Sequence, residues 1–128
     1  IVTDVGKLIV FHRGFTASPT YTVPQLFKVG TGTNTPVVGD TDLQTAVIIS
    51  GGSTTKTYAL GYPIVDETTL NMTARTLLLT TEANGNTITE FGLFNNDGTP
   101  KCFSRSVFTG IAKTSSVQIN FYEKDEVI

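Results

Sequence analysis

Apolar and polar residues alternate with a period of two along most of the chain, a pattern that is typical of half-buried β-strands. Short segments rich in Gly, Asn, Asp, Ser and Pro separate the alternating stretches, and no convincing helical period is present. The pattern predicts an all-β fold, an antiparallel β-sandwich of jelly-roll or immunoglobulin-like type with little or no helix. The predicted strands are Lys7–Phe15, Pro24–Val29, Thr45–Ser50, Thr54–Val65, Thr68–Thr81, two strands within Asn86–Phe108, and Ser115–Glu123.

The stretch from Asn86 to Phe108 predicts a β-hairpin around which the other strands are organised. Its turn, Asn95-Asn96-Asp97-Gly98-Thr99, suits a type I turn followed by a glycine in the left-handed region. In that register Phe91 lies opposite Phe103, and an aromatic cross-strand pair of this kind contributes about 0.2–1 kcal/mol.

A second register is open to the hairpin, with a two-residue loop at Asp97-Gly98 and Glu90 opposite Arg105. The first register is favoured because Asn and Gly occupy its first and fourth turn positions. Glu90 also interrupts an apolar segment. We expect a paired carboxylate, with Arg105 or Arg75 as its partner, because a buried acid without a neighbour would be costly.

Other breaks in the alternation of apolar and polar residues predict loops, an irregular strand and a turn. Residues 30–42 and 109–114 predict connecting loops. The run Leu77-Leu78-Leu79 breaks the period of two, which indicates either a bulge or burial of both strand faces. Asn84-Gly85 predicts a turn with positive φ.

Residue types also predict the local structure of three further segments. Thr41-Asp42 could cap a brief helical turn, and we expect this turn to be followed by the strand Thr45–Ser50. Ser50-Gly51-Gly52-Ser53 then predicts a flexible connection. Pro63 favours an edge strand or an extended arm for the segment that contains it.

Length and charge limit the classes of protein that fit. The sequence suits one domain, residues 1–128, with short terminal arms at residues 1–6 and 123–128. Charged residues make up 16% of the chain, the net charge is −2, and lysines and arginines are spread singly, so no nucleic-acid partner is predicted. Neither a run of 18 apolar residues nor a secretory signal is present, so no membrane partner is predicted.

No group of residues predicts catalysis or ligand binding, so we expect no catalytic, cofactor-binding or metal-binding residues and no enzyme activity. His12, the sole histidine, lies in a predicted strand without an evident partner. Cys102, the sole cysteine, is expected to be a buried, inert thiol. Gly30-Thr31-Gly32 lacks the lysine of a phosphate loop and predicts a flexible turn. Asp40 and Asp42 have calcium-loop spacing without the other ligands, so we expect a solvated loop.

Two stretches together resemble a known class of protein. Val29–Val47 carries Gly-Thr-Gly-Thr, a proline and Asp-Thr-x-Leu, while Asn86–Lys124 carries Glu-x-Gly-Leu-Phe, the Asn-x-Asp-Gly-Thr turn, an arginine, a phenylalanine, Lys-Thr and a final alternating strand. In this order the two stretches resemble small virion structural proteins of tailed bacteriophages. The resemblance implies a set of scaffold positions: Gly92, Leu93, Phe94, Asp97, Gly98, Arg105, Phe108, Lys113 and Thr114.

The resemblance implies a virion structural protein, and we expect a capsid decoration, or cement, protein that stabilises the head by binding between major capsid subunits. The alternatives are a tail, baseplate or fibre-associated component and a carbohydrate-binding or adhesion module. The expected partners are the major capsid protein or other virion subunits and further copies of the chain, a trimer by analogy, and the expected localisation is the virion, assembled in the host cytoplasm. The candidate contacts are Ile1-Val2, Val127-Ile128 and Tyr58–Val65.

Overall fold

The structure, a computed structural model, describes residues 1–126 and is an antiparallel β-sandwich. Its elements in chain order are α1 (Asp4–Phe15), β1 (Pro24–Gly30), β2 (Lys56–Thr57), β3 (Ile64–Asp66), β4 (Asn71–Leu78), β5 (Thr87–Asn95), β6 (Cys102–Ala112) and β7 (Ile119–Glu126). One sheet has the strand order β2-β1-β5-β6 and the other has β3-β4-β7, and every strand pair is antiparallel. The predicted all-β sandwich is therefore confirmed, with α1 as its helical element.

Aromatic side chains from both sheets meet in the core. Phe91 on β5 stacks on Phe121 on β7 with ring centroids 4.7 Å apart, and Phe27 on β1 lies 6.1 Å from Phe91. Phe108 on β6 lies 5.6 Å from Phe121, and Leu78 of β4 is fully buried in the same cluster. The two sheets therefore bury their facing sides against each other, with the aromatic pairs contributing beyond the apolar area that they cover.

Strand β1 follows its sequence pattern closely, whereas the last strand, predicted over Ser115–Glu123, forms over Ile119–Glu126. β1 begins at Pro24, as predicted, and extends one residue further than expected. On the last strand and just before it, Val117, Ile119 and Phe121 pack on the core, while Tyr122 is exposed. The period of two therefore identified the buried face of this segment correctly.

The segment Lys7–Phe15 was wrongly predicted to be a strand, because it belongs to helix α1. Thr3 caps this helix: its hydroxyl accepts a hydrogen bond from the Gly6 amide at 2.9 Å, and its own amide donates to the Phe103 carbonyl at 3.0 Å. Gly6 packs directly on β6, where a Cβ would lie 2.2 Å from the Phe103 carbonyl oxygen. Ile9 is 1% exposed, so one side of the helix is anchored on the four-stranded sheet.

The two segments expected as terminal arms have different surroundings. Within residues 1–6, Val2 forms a β-bridge with Ser104 on β6, and Asp4 begins α1. Residues 123–126 belong to β7. The candidate contact Val127-Ile128 lies outside the described residues.

The hairpin of β5 and β6 forms, but in neither predicted register. Phe91 lies opposite Ser106, and Gly92 lies opposite Arg105, so both cross-strand pairs expected from the sequence are absent from this ladder. The register also shifts at two points along the pair, which marks irregularities in the ladder. The strands were thus identified correctly, while their alignment was not.

The connection between β5 and β6 explains the register. The Asn95 amide donates to the Lys101 carbonyl at 3.1 Å, and the Lys101 amide donates to the Asn95 side-chain oxygen at 2.8 Å. The Asp97 carboxylate accepts hydrogen bonds from the Thr22 amide at 3.2 Å and hydroxyl at 3.0 Å. Gly98 does not take positive φ. Side-chain hydrogen bonds therefore stabilise a longer loop than the predicted turn.

The structure also corrects the predicted bounds of three further segments. Thr45–Ser50 forms isolated bridges at Ala46 and Ser50 rather than a strand. Thr54–Val65 contains β2 and the start of β3, which lie in different sheets. Residues 109–112, expected in a loop, continue strand β6.

The leucine run lies where β4 ends. Leu78 is the last residue of the strand and is buried, whereas Leu79 follows it and is 39% exposed. The register between β4 and β7 is unbroken from Asn71 to Leu78, so the proposed bulge is absent from this pair. Gly85 takes the positive φ predicted for its turn, at 85°. Strand β3 is an edge strand, as Pro63 indicated.

The stacked pair of Phe91 and Phe121 allows a test of the core. Replacing Phe91, which is 5% exposed, by alanine removes a ring from between the sheets and is expected to lower the free energy of unfolding by about 3–5 kcal/mol. Urea denaturation followed by circular dichroism measures the change. The control is Leu60→Ala, at a residue that is 100% exposed, which should change stability by less than about 0.5 kcal/mol. Equal losses in the two variants would contradict this core assignment.

Candidate functional site

The carboxylate of Glu90 lies at the centre of a buried polar network. Glu90 is 0% exposed, on the face of β5 that points away from the second sheet. Its Oε1 accepts hydrogen bonds from the amides of Gly32 at 3.1 Å and Thr45 at 2.7 Å. Its Oε2 accepts from the Gln44 amide at 3.0 Å and from Arg105 Nε at 3.0 Å. Four donors therefore compensate the buried charge.

The two glycines of Gly30-Thr31-Gly32 allow the loop to approach this carboxylate. A Cβ on Gly30 would lie 2.5 Å from Glu90 Oε1, and a Cβ on Gly32 would lie 2.6 Å from the same atom. The segment was expected to be a flexible turn, but it is packed closely against a buried side chain. This close approach is the physical reason for glycine at both positions.

Arg105 extends the network from Glu90 to the surface of the loop. Its guanidinium donates from Nη1 to Asp40 Oδ2 at 2.9 Å and from Nη2 to the Asn34 carbonyl at 3.1 Å. Burial opposes ionisation of Asp40, but the hydrogen bonds from Val37 and Arg105 and the arginine's charge hold the pKa of Asp40 below its usual value. The predicted pairing of Glu90 with Arg105 is therefore confirmed, and Asp40 is a third member.

The two aspartates expected in a solvated loop are both ion-paired. Asp40 pairs with Arg105, as above, and Asp42 accepts from Lys28 Nζ at 3.0 Å. The Lys28 ammonium also lies 4.6 Å from the centroid of the Phe94 ring. Among residues 1–126, no three His, Cys, Asp or Glu side chains form a group that could hold a metal ion.

This network locks residues 30–45 onto the outer face of the four-stranded sheet. The loop and Arg105 enclose a polar cleft of about 290 Å³ whose charged groups are already engaged with one another. Its carboxylates and cations neutralise each other by direct contact, which leaves the cleft without an evident charge preference for a ligand. We therefore assign the Glu90 network to structure and not to chemistry.

Three side chains that the sequence singled out are held by contacts within the fold. His12 lies on α1, where its ring packs edge-on against Tyr21 with centroids 4.9 Å apart. Cys102 is a free, fully buried thiol, as predicted, and burial raises its pKa to about 12. Lys113 is 1% exposed, its ammonium donates to Asn84 Oδ1 at 2.7 Å, and burial lowers its pKa.

Sequence reasoning missed a pair of carboxylates that face into the sandwich. Glu123 lies opposite Ala74 and Asp125 lies opposite Met72, on the same face of β7 as Phe121. Ser104 on β6 donates to Glu123 Oε2 at 3.0 Å. Burial, and then the neighbouring charge of Asp125, raise the pKa of Glu123 to about 7. The signal was present in the sequence, because both residues continue the inward-facing period of the strand.

The phenol of Tyr58 borders this acidic pair. Its hydroxyl is buried and has no hydrogen-bond partner among the described residues. Burial, followed by the charges of Glu123 and Asp125, raises the pKa of Tyr58. Tyr58 therefore remains neutral beside carboxyl groups that are themselves hard to ionise.

The segment 59–70, which we call the arm, carries several exposed aliphatic side chains. It links β2 in one sheet to β4 in the other and contains the edge strand β3. Leu60 is 100% exposed, Leu70 74%, Val65 68% and Ile64 50%. An exposed group of large aliphatic side chains is typical of a surface that contacts a partner.

A groove and a strained residue lie beside these side chains. The groove, of about 560 Å³, runs between the arm and the start of β1, and its walls include Tyr58, Tyr62 and Met72. Leu70 has a φ of 56°, a conformation that costs a residue with a side chain about 1–2 kcal/mol. Strain at an exposed leucine has no evident benefit to the fold, which makes Leu70 a candidate for function.

Comparisons with known proteins add no assignment: no family model, curated protein or solved structure matches the chain. The helical part of residues 1–126 also falls short of the length and apolar character needed to span a bilayer.

Loss of the Glu90 charge provides a test of the buried network. Glu90→Gln leaves Arg105 without its buried counter-charge and is expected to lower the free energy of unfolding by about 3–5 kcal/mol. The matched control is Asp42→Asn, which makes the same chemical change in the pair with Lys28. The Asp42 side chain is 55% exposed, so this variant should lose no more than about 1 kcal/mol. Urea denaturation of both variants gives the comparison, and similar losses would show that burial does not distinguish the two pairs.

The inward-facing Glu123 predicts a pH dependence with a definite sign. Folding raises its pKa from 4.5 to about 7, so the folded state holds this proton more tightly than the unfolded chain. The contribution of Glu123 to stability is therefore greatest below pH 4.5, falls as the pH rises towards 7, and is constant above that. We expect a decrease of about 3 kcal/mol across this window, because each tenfold difference in proton affinity corresponds to about 1.4 kcal/mol.

The measurement is the free energy of unfolding of the wild type minus that of Glu123→Gln, followed from pH 4 to 8 by urea denaturation. Subtracting the variant removes the contributions of Asp40 and of the other carboxylates that are distant from Glu123, whereas the contribution of Asp125, which interacts with Glu123, cancels only in part. A difference that is flat, or that increases with pH, would mean that Glu123 is solvated in the folded protein.

Proposed function

We propose that the chain is a structural protein of a bacteriophage virion, and specifically a capsid decoration protein that binds between major capsid subunits. The observation that carries this proposal is the arm, with its exposed aliphatic side chains and strained Leu70. It fits a protein that acts by adhesion to its neighbours. The residues that resemble small phage virion proteins supply the second line of support.

Those residues come together in one part of the fold. The resembling stretches, residues 29–47 and 86–124, meet where Glu90 accepts from Gly32 and where Arg105 donates to Asp40. The Gly-Thr-Gly, Asp-Thr and Glu-x-Gly-Leu-Phe patterns are therefore parts of a single interlocked unit.

The arm suits attachment to a particle made of many identical subunits. Burial of an exposed leucine or valine side chain contributes about 1.5–3 kcal/mol at most, so a few such contacts give a weak interaction for one copy. A protein that touches several neighbouring subunits, or that is itself oligomeric, gains effective concentration from each additional contact. Weak individual contacts of this kind are sufficient for a protein that covers a symmetric shell.

Position and copy number on the particle test the proposal directly. Virions of the phage that encodes the chain should carry it in constant proportion to the major capsid protein, as measured by quantitative mass spectrometry. Cryo-electron microscopy should then show density of its size on the head with the symmetry of the capsid. A few copies located on the tail would support the tail or baseplate assignment instead, and absence from purified virions would contradict both assignments.

Leu70 separates a role in binding from a role in folding. Leu70→Gly relieves the positive φ and is expected to raise the free energy of unfolding by about 0.5–1 kcal/mol. The same change removes an exposed aliphatic side chain from the arm, so occupancy on particles that lack the protein should fall when purified variant is added back. Sedimentation with the particles measures occupancy, and urea denaturation measures stability.

Two further variants serve as comparisons for Leu70→Gly. Leu60→Asp should reduce occupancy with a change in stability within about 0.5 kcal/mol, because Leu60 is fully exposed. Ile48→Asn removes an aliphatic side chain that is 58% exposed outside the arm, and it should leave occupancy unchanged. If Leu70→Gly and Leu60→Asp bind particles as well as the wild type, the arm is not the attachment surface.

A further inference from the structure

Helix α1 presents apolar side chains on two of its sides. One side, with Gly6 and Ile9, is buried against the sheet. The other carries Leu8, Phe11 and Phe15, which are spaced by three and four residues and therefore form one stripe along the helix. These side chains are 44%, 56% and 82% exposed. A helix that is apolar on both sides is expected to lie between two bodies, and the sandwich provides only one of them.

Two exposed apolar residues of a neighbouring loop lie at the start of the helix. The Asp4 amide donates to the Val38 carbonyl at 2.7 Å, so Val37 and Val38 lie beside the start of the helix. They are 54% and 45% exposed. We define the helix patch as Leu8, Phe11, Phe15, Val37 and Val38. At its far end the rings of Phe11 and Phe15 are in contact, with centroids 6.3 Å apart.

We propose that the helix patch is a dimer interface, in which α1 packs antiparallel against α1 of a second copy of the chain, with Phe11 at the two-fold axis. This inference goes beyond the proposed function and does not depend on it. The occupant is identified by three properties of the patch: its area, its shape and its charges.

The area of the patch suits a protein interface. Fully exposed side chains of these sizes present roughly 150–200 Å² each, so the patch offers about 450 Å² of apolar surface per copy. A standard interface buries about 800 Å² per partner, of which somewhat more than half is apolar. The apolar area of the helix patch is therefore close to that of one complete interface, and the polar residues around the patch form the rim.

The shape of the patch is complementary to itself in the antiparallel arrangement. Phe15 protrudes at one end, whereas the other end consists of the smaller Leu8 and Val38. A two-fold axis near Phe11 places Phe15 of each copy over the Leu8 end of the other. Helices packed in this way lie about 8–10 Å apart, a distance that these side chains can fill.

The charges around the patch also permit this pairing. Leu8, Phe11 and Phe15 carry no charge, and Asp4, which continues the stripe at the amino end of the helix, is paired with Lys7 Nζ at 3.2 Å. Two copies can therefore meet without direct repulsion between like charges. In the antiparallel arrangement Lys7 lies near the carboxyl end of the partner's helix, where a cation is favourable, and the two helix dipoles oppose each other.

The first test is the oligomeric state of the full chain across about 1–100 μM, a range that covers the dissociation constants expected for an interface of this size. Sedimentation equilibrium should show a dimer that dissociates on dilution. Phe11→Asp should raise the dissociation constant by about tenfold or more. Arg13→Asp introduces the same side chain two positions further along the helix, away from the stripe, and should leave the dimer in place. Circular dichroism confirms that both variants are folded.

Cysteine cross-linking tests the orientation. Phe11→Cys places a thiol beside its own copy at the axis and should form a disulfide-linked dimer on mild oxidation. Phe15→Cys should not, because its two copies are separated along the helices by about 12 Å. The native Cys102 is buried and does not compete. Efficient cross-linking of Phe15→Cys would overturn the antiparallel arrangement.

Two other results would overturn the dimer itself. One is a wild type that remains monomeric throughout the concentration range, and the other is a dimer that Phe11→Asp does not weaken. Vesicles of anionic phospholipid provide a final comparison. If the monomeric wild type binds them and Phe11→Asp does not, the patch contacts a lipid surface instead, and the proposal is wrong.

Discussion

A buried carboxylate with four hydrogen-bond donors is the interaction on which the rest of this structure depends. An ionised group without solvent costs several kcal/mol unless its environment supplies compensating donors and charge. Glu90 obtains them from three loop amides and from Arg105. The same contacts, together with the packing of Leu43 against Phe94 and Cys102, fix the course of residues 30–45 over the outer face of the four-stranded sheet.

This arrangement gives the sandwich a third layer without a third sheet. The inner face of the four-stranded sheet is covered by the other sheet through Phe91 and Phe121, and its outer face is covered by a loop that has little regular structure of its own. A loop of this length normally remains mobile, because few contacts repay the entropy of ordering it. Here the Glu90 network and the salt bridge of Asp42 with Lys28 supply those contacts.

Local sequence patterns predicted the features that have local causes. The alternation of β7 identified its buried face, and the position of Glu90 inside an apolar segment indicated a paired carboxylate, for which Arg105 was a named candidate. The alternation failed at α1, because the apolar residues of KLIVFHRGF fit a period of two as well as a period near four. Thr3 and Asp4 offered a helix-start signal that would have decided between these readings.

The features that could not be predicted depend on contacts between distant residues. The hairpin register is set partly by Thr22, which binds Asp97 from 75 positions away. The need for glycine at positions 30 and 32 arises from Glu90, which belongs to a different strand. No local pattern records such pairings. The inward-facing Glu123 and Asp125 are a different case. The period of β7 predicts that both side chains face inward, and they were missed because acidic side chains are usually assigned to the exposed face of a strand.

The connection of both sheets through residues 59–70 has a mechanical consequence. A pull applied at Leu60 is transmitted to β2 on one side and to β3 and β4 on the other, so both layers share the load. Strands β4 and β7 are hydrogen-bonded along eight consecutive residue pairs, and force directed along them must shear many bonds at once instead of peeling them one by one. A force applied at this point would therefore be shared by both sheets and resisted by the whole ladder between β4 and β7.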